Sequence, residues 1–188
     1  MKEKQKVLVH GGTSGIGVAA IQILKLYKSE IFTTVGTNKK KKFCESLGVH
    51  NVYNYKETDF FDEIKKIEKR GIDIILDYIG GDYINKNINL LKSDGKLINI
   101  GFLNGSQVNI NLMKIMLKRL TITGSTLRIR EKTYKAKILN DLKKIVFPNF
   151  ENGKIKCYID SVFKLEDVVS SHKYLEGGGH IGKIVLEI

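Results

Sequence analysis

Apolar residues over the first 125 positions fall into two patterns. Short, largely β-branched runs occur at KVLVH (6–10), EIFTTVG (30–36), NVYNY (51–55), IDIILDYIG (72–80), GKLINIG (95–101) and LTITG (120–124). Runs of that character predict strands covered on both faces. Between them, segments 16–27, 39–47, 60–69, 83–91 and 112–118 repeat their apolar positions every three or four residues, which predicts helices. Gly48, Gly71 and Gly95 stand where helices end or turns begin. Regular alternation of strand and helix predicts an α/β fold, a doubly wound parallel sheet with right-handed crossovers. Met113, Met116 and Leu117, at helical spacing, read most simply as core.

After Ser125 the rhythm changes. Segment 133–147 reads as one long helix stopped by Pro148, followed by a strand at 158–163, a helix at 165–177 and a last strand at 183–188. A main domain over 1–150 and a C-terminal strand–helix–strand tail over 151–188 are therefore expected.

VLVHGGTSGIG (7–17) joins the first strand to the first helix, the context in which a glycine motif carries chemistry. Glycines let the backbone approach a pyrophosphate, and the helix start offers free N–H groups and a positive dipole end. Gly12 and Gly17 fit the first and third positions of G-x-G-x-x-G, while Ser14 occupies the second and adds a hydroxyl. A tight turn without a ligand is the plainer alternative. His10 reads as a packed turn residue, and Asp77 as an acid that accepts from nearby backbone N–H groups. The string also resembles the TGxxxGIG fingerprint of short-chain dehydrogenases. That family needs a Tyr with Lys four residues on, so that the cation lowers the tyrosine pKa. No tyrosine in this chain has that lysine.

An NAD site places Asp or Glu about 20 residues beyond the glycines to hold the ribose 2′-OH. Here the second strand ends in VGTNKKKK, with no carboxylate before Glu45. Thr37, Lys39 and Lys40 offer what a 2′-phosphate needs, positive charge and hydroxyl donors. The same lysines could be only the solvated first turn of a helix, although cations there oppose its dipole.

Seven pieces in register, VLVHGGTSGIGVAAIQI, TNKKKKFCESLGV, NYKETDF, IDIILDYIGG, LINIGFLNG, GSTLRIR and HKYLEGGGHIGKIVLEI, resemble the zinc-free branch of the medium-chain dehydrogenase/reductases. Within that branch they look like the quinone oxidoreductases of the zeta-crystallin type. The resemblance implies a Rossmann-type cofactor domain that works with a GroES-like catalytic domain and reduces quinones or enones with NADPH, without metal. It implies cofactor contacts at Ser14, Gly15, Ile16 and Gly17 in the glycine loop. Lys40 and Tyr55 join Thr37 around the 2′-phosphate and adenosine. The resemblance also implies that Ile79, Gly80, Gly101, Phe102, Leu103 and Leu127 lie toward the ribose and nicotinamide. Lys183 reads as a strand-edge lysine or a phosphate contact, the former being the plainer choice. No catalytic residue is nominated. The chain begins where the Rossmann domain begins, so the catalytic domain is expected to be largely absent and the tail to carry an apolar face. Pairing into a homodimer through the LTITG edge strand is a further expectation.

Composition narrows the remaining classes. No 18-residue apolar run exists among the 188 residues, so no membrane span is expected. Cys44 and Cys157 lie far apart with no CxxC, as in free thiols of a reducing, cytoplasmic compartment. The net charge of +12 could attract nucleic acid. The excess is nearly all Lys spread along the chain, which makes an RNA-binding role the weaker choice. A quinone or other electron-poor small molecule remains the expected partner, and a non-enzymatic NADPH-binding module the main alternative.

Overall fold

The computed structural model describes residues 2–188. Six strands, β1 (Lys6–Val9), β2 (Glu30–Val35), β3 (Asn51–Asn54), β4 (Ile72–Asp77), β5 (Leu91–Asn99) and β6 (Thr121–Gly124), form one sheet in the order β3-β2-β1-β4-β5-β6. Every pairing in it is parallel. The order reverses between β1 and β4. Loops leaving these two strands diverge there, opening a crevice at their C-terminal ends.

Five helices cover the sheet: α1 (Gly15–Leu26), α2 (Asn38–Ser46), α3 (Phe60–Ile67), α4 (Tyr83–Leu90) and α5 (Leu112–Lys118). Side chains alternate along each strand, so the unbroken apolar runs supply both faces. Val7 and Val9 of β1 pack with Val18, Ile21 and Leu24 of α1 and Cys44 of α2. Leu8 between them joins Phe60 and Ile64 of α3 and Ile84 and Ile88 of α4. The glycine loop is thereby fixed between two filled cores.

Three expectations need correction. Met113, Met116 and Leu117 are not core: they are exposed, as is all of β6. Helix α5 packs on the second core through Ile115, and its other apolar residues face outward at the open edge of the sheet. Strand β5 starts at Leu91 rather than Gly95. A register shift against β4 absorbs the extra residues, with Asp94 in the left-handed region at φ 62°. Pro148 does not stop the chain from being helical. Helix α6 (Lys132–Ile145) ends at Val146, and Pro148 lies in the first turn of α7 (Phe147–Glu151). A proline there lacks only an N–H that would be unpaired anyway.

The tail folds as β7 (Ile159–Lys164), α8 (Val168–Glu176) and β8 (Lys183–Glu187), the two strands pairing in parallel. Ile159, Val162, Val169 and Leu175 are exposed, giving it the expected apolar surface. The tail is attached to α1 and to the loop before it. The Gln22 side chain accepts from Lys156 N at 2.8 Å and donates to Lys156 O at 3.1 Å. Gly182 N donates to Thr13 O at 2.8 Å, beside an isolated bridge between Ser14 and Gly182.

Candidate functional site

The β1–α1 loop is shaped by close backbone approaches. Gly11 holds φ +65°, and a Cβ there would run into the Tyr78 ring. A Cβ on Gly17 would overlap the Gly11 carbonyl oxygen and come within 2.8 Å of the Gly12 backbone. Helix α1 can sit this close to β1 only because that position lacks a side chain. Ser14 caps the helix, its oxygen accepting from Gly17 N at 3.0 Å. The cap uses a lone pair and leaves the hydroxyl proton free to donate.

A cavity of about 380 Å³ opens at this helix start, walled by Ser14, Gly15 and Ile16 on one side and by His180 and Lys183 of the tail on the other, with Tyr78 beside them. Lys183 reaches over the loop: a Cβ on Gly15 would lie 2.5 Å from its Nζ. An ammonium at the positive end of a helix is electrostatically unfavourable unless an anion lies with it. His180 has its Nδ1 buried with no hydrogen-bond partner. Burial, then the nearby Lys40, lower the His180 pKa, while Asp160 opposes them. One ammonium and one orphaned ring nitrogen thus lie at the start of a helix, where backbone N–H groups favour an anion.

At the end of β2 a second group assembles. Thr37 caps α2 by accepting from Lys40 N at 3.2 Å. The Tyr55 hydroxyl stands over Gly36, 2.6 Å from where a Cβ would be. Lys40 Nζ is not free; it donates to Gly178 O in the tail at 2.6 Å. Burial is the main cause lowering the Lys40 pKa, with Asp160 opposing and Lys56 adding to the decrease. Thr37 is thus bonded to the Lys40 backbone, Tyr55 stands over the adjoining Gly36, and the tail touches this group through Lys40.

Beyond β4, Ile79 N and Gly80 N both donate to Asp77 Oδ1, at 2.7 and 3.3 Å, so Asp77 is the structural acid anticipated. Gly80 adopts φ +71° and packs against Phe102, while Gly101 lies on Tyr78. Phe102 and Leu103 are exposed at this rim. Leu127 stands apart, past the end of β6 and exposed, three strands from β1 in the sheet. His10 is fully buried, with its ring edge-on to Phe60 and Tyr83. Tyr78 and His180 were not nominated from the sequence, and for Lys183 a phosphate contact was the less plain of two readings. The one local signal was the Gly182–Lys183 pair, since Gly182 at φ +85° has no room for a side chain against the Tyr158 carbonyl.

Among the described residues no cluster of three His, Cys, Asp or Glu side chains is placed to hold a metal, and no helix is long and apolar enough to cross a membrane. Strand order, glycine loop and crevice define a dinucleotide-fold domain. The chain belongs to the zinc-binding dehydrogenase family, whose model matches residues 15–144. It is 33% identical to the quinone oxidoreductase of Homo sapiens over 188 residues, which cover 99% of this chain and 55% of that protein. The quinone oxidoreductase of Escherichia coli complexed with NADPH superimposes with a TM-score of 0.86 at 25% identity, over all of this chain and 58% of the other. The CurF ER cyclopropanase of the curacin A pathway gives a TM-score of 0.83 at 30% identity, over all of this chain and 56% of its own. The chain spans about half the length of the quinone oxidoreductases it matches.

Proposed function

We propose that this chain is the NADPH-binding half of a zinc-free quinone or enone reductase. The observation that carries this is the Lys183 ammonium over Gly15 at the start of α1. Together with His180 and Ser14 it suits a pyrophosphate. Thr37, Lys40 and Tyr55 at the end of β2, where no carboxylate stands, suit a 2′-phosphate and adenosine. Ile79, Gly80, Gly101, Phe102, Leu103 and Leu127 are assigned to the ribose and nicotinamide side. NADPH, when bound, supplies the hydride. The residues of this chain would bind and orient it, and Phe102 and Leu103, exposed at the rim, would help exclude water. Residues 1–150 form the cofactor domain in this scheme. Residues 151–188 carry the surface for the catalytic domain. The exposed Met113, Met116 and Leu117 beside edge strand β6 form the homodimer surface, and Cys44 and Cys157 are free thiols, as suits the cytoplasm.

Titration with NADPH and with NADH, followed by bound-nicotinamide fluorescence, tests the assignment. NADPH is expected to bind at least about tenfold tighter, a difference of ~1.4 kcal/mol. Absence of saturable binding of either nucleotide would overturn it. Quinone-dependent NADPH oxidation then separates a reductase from a binding module.

A further inference from the structure

A buried polar chain runs behind the glycine loop. Asp77 is fully buried and accepts four N–H groups: Ile79 N and Gly80 N at Oδ1, Asn87 Nδ2 at 3.1 Å and Asn99 Nδ2 at 3.4 Å at Oδ2. With its NH₂ on that carboxylate, Asn87 must present its oxygen to His10 Nε2, 2.8 Å away. His10 Nε2 is therefore the donor. Burial is the main cause lowering the His10 pKa and keeps the ring neutral, although Asp77 pulls the other way. A neutral ring with Nε2 protonated leaves Nδ1 bare. Nδ1 accordingly accepts the Thr34 hydroxyl at 3.1 Å, and Thr34 Oγ1 is left to accept from Gly11 N at 3.2 Å. Each link fixes the direction of the next. One chain of bonds, converging from both ends on the Asp77 carboxylate, connects the amide of Gly11, in the glycine loop, to those of Ile79 and Gly80, in the loop after β4.

We infer that His10, with Thr34 and Asn87, is a positioning residue that locks the two loops flanking the crevice into one geometry, so that both meet the cofactor together. An apolar residue could fill the same space between Phe60 and Tyr83 without desolvating any polar group. A histidine there adds two opposed, directional bonds, one toward each loop. The functional half of the inference rests on the NADPH reading above; the coupling of the loops does not.

Thr34→Val in the full chain keeps the shape of the side chain and breaks the link next to Gly11, far from Asp77. Amide hydrogen exchange is read at Gly11, Ile79 and Gly80, with NADPH affinity and the urea midpoint measured alongside. Exchange is expected to quicken about tenfold at all three amides, the scale of one buried group left unpartnered. NADPH affinity is expected to fall by a similar factor in fully folded protein. Thr34→Ser keeps the hydroxyl and is expected to restore both. Acceleration confined to Gly11, or an unchanged NADPH affinity beside a lowered midpoint, would overturn the inference. If the unaltered chain binds no NADPH, the cofactor reading falls and exchange alone decides the coupling. Should Thr34→Val not fold, His10→Gln, which keeps the Asn87 bond and loses the Thr34 bond, provides the same readout.

Discussion

Replacing Gly17 and Gly15 separately by alanine tests whether the glycine loop is built for helix packing at one position and for ligand access at the other. At Gly17 the added methyl meets the Gly11 carbonyl oxygen and the Gly12 backbone at 2.8 Å, all of it main chain that cannot rotate away. Overpacking of this kind costs about 1–3 kcal/mol. Alanine returns at most about 1 kcal/mol of helix propensity. Because the clash is with backbone, the overpacking cost lies at the upper end of its range. The net loss is then ~1–2 kcal/mol, which lowers the melting temperature by roughly 2–8 °C for a chain of this size. At Gly15 the methyl meets only the far end of the Lys183 side chain, which can swing aside. Gly15→Ala should therefore melt within about 2 °C of the unaltered protein, a shift of ~0.5 kcal/mol. It should still bind NADPH more weakly, because the ammonium has left the helix start. Thermal melts with nucleotide titrations on both variants decide the matter. A Gly17→Ala protein as stable as the original would refute the close-packing argument. A Gly15→Ala protein with full affinity would remove Lys183 from the site.

Lys40→Ala should weaken NADPH by about tenfold, the scale of one charge-assisted contact, and leave NADH unchanged; equal losses for both would assign Lys40 to the tail contact alone. Leu117→Glu on the exposed face of α5 should turn a dimer into a monomer in sedimentation equilibrium, and an unaltered mass would send the interface elsewhere. His10 and His180 both have pKa values lowered from the ordinary 6.5, chiefly by burial. The unfolded chain takes up protons that the folded one refuses. Stability from these groups is complete above about pH 6.5 and is lost as the pH falls below it. Each contributes a slope of no more than about 1.4 kcal/mol per pH unit. Urea midpoints from pH 7.5 to 5 should fall accordingly. His10→Gln should flatten the slope, and a slope kept in full would exclude His10 as its source.

The inner strands of the sheet were legible because they are filled on both faces, as Val7, Leu8 and Val9 show within three positions. Errors arose where one face of an element has no partner in this chain. Periodicity in 112–118 correctly marks α5, but says nothing of which side of the helix meets the sheet. With nothing beyond β6, its methionines are outside. The late prediction for β5 has a different cause: SDG reads as a turn, and here it is carried inside a strand by a register shift.

The site divides along the same physical line. Ser14, Gly15, Ile16 and Gly17 are local, a strand end and a helix start in one string, and sequence spacing alone brings them together. Thr37 and Lys40 are local to the start of α2. Lys183, His180 and Gly178 reach the crevice only because Gly182 pairs beside Ser14, a contact that spans 168 positions. No period within either segment encodes that docking. Its signature is instead a mismatch of charge: a helix start that already repels cations has Lys183 laid across it. Removing the charge while keeping the bulk, as in Lys183→Met, should accordingly leave stability equal or slightly raised without nucleotide and weaken NADPH binding. A structural lysine would show the reverse, lost stability with affinity intact. Melts with and without NADPH thus distinguish a residue held there for an anion from one held there by packing.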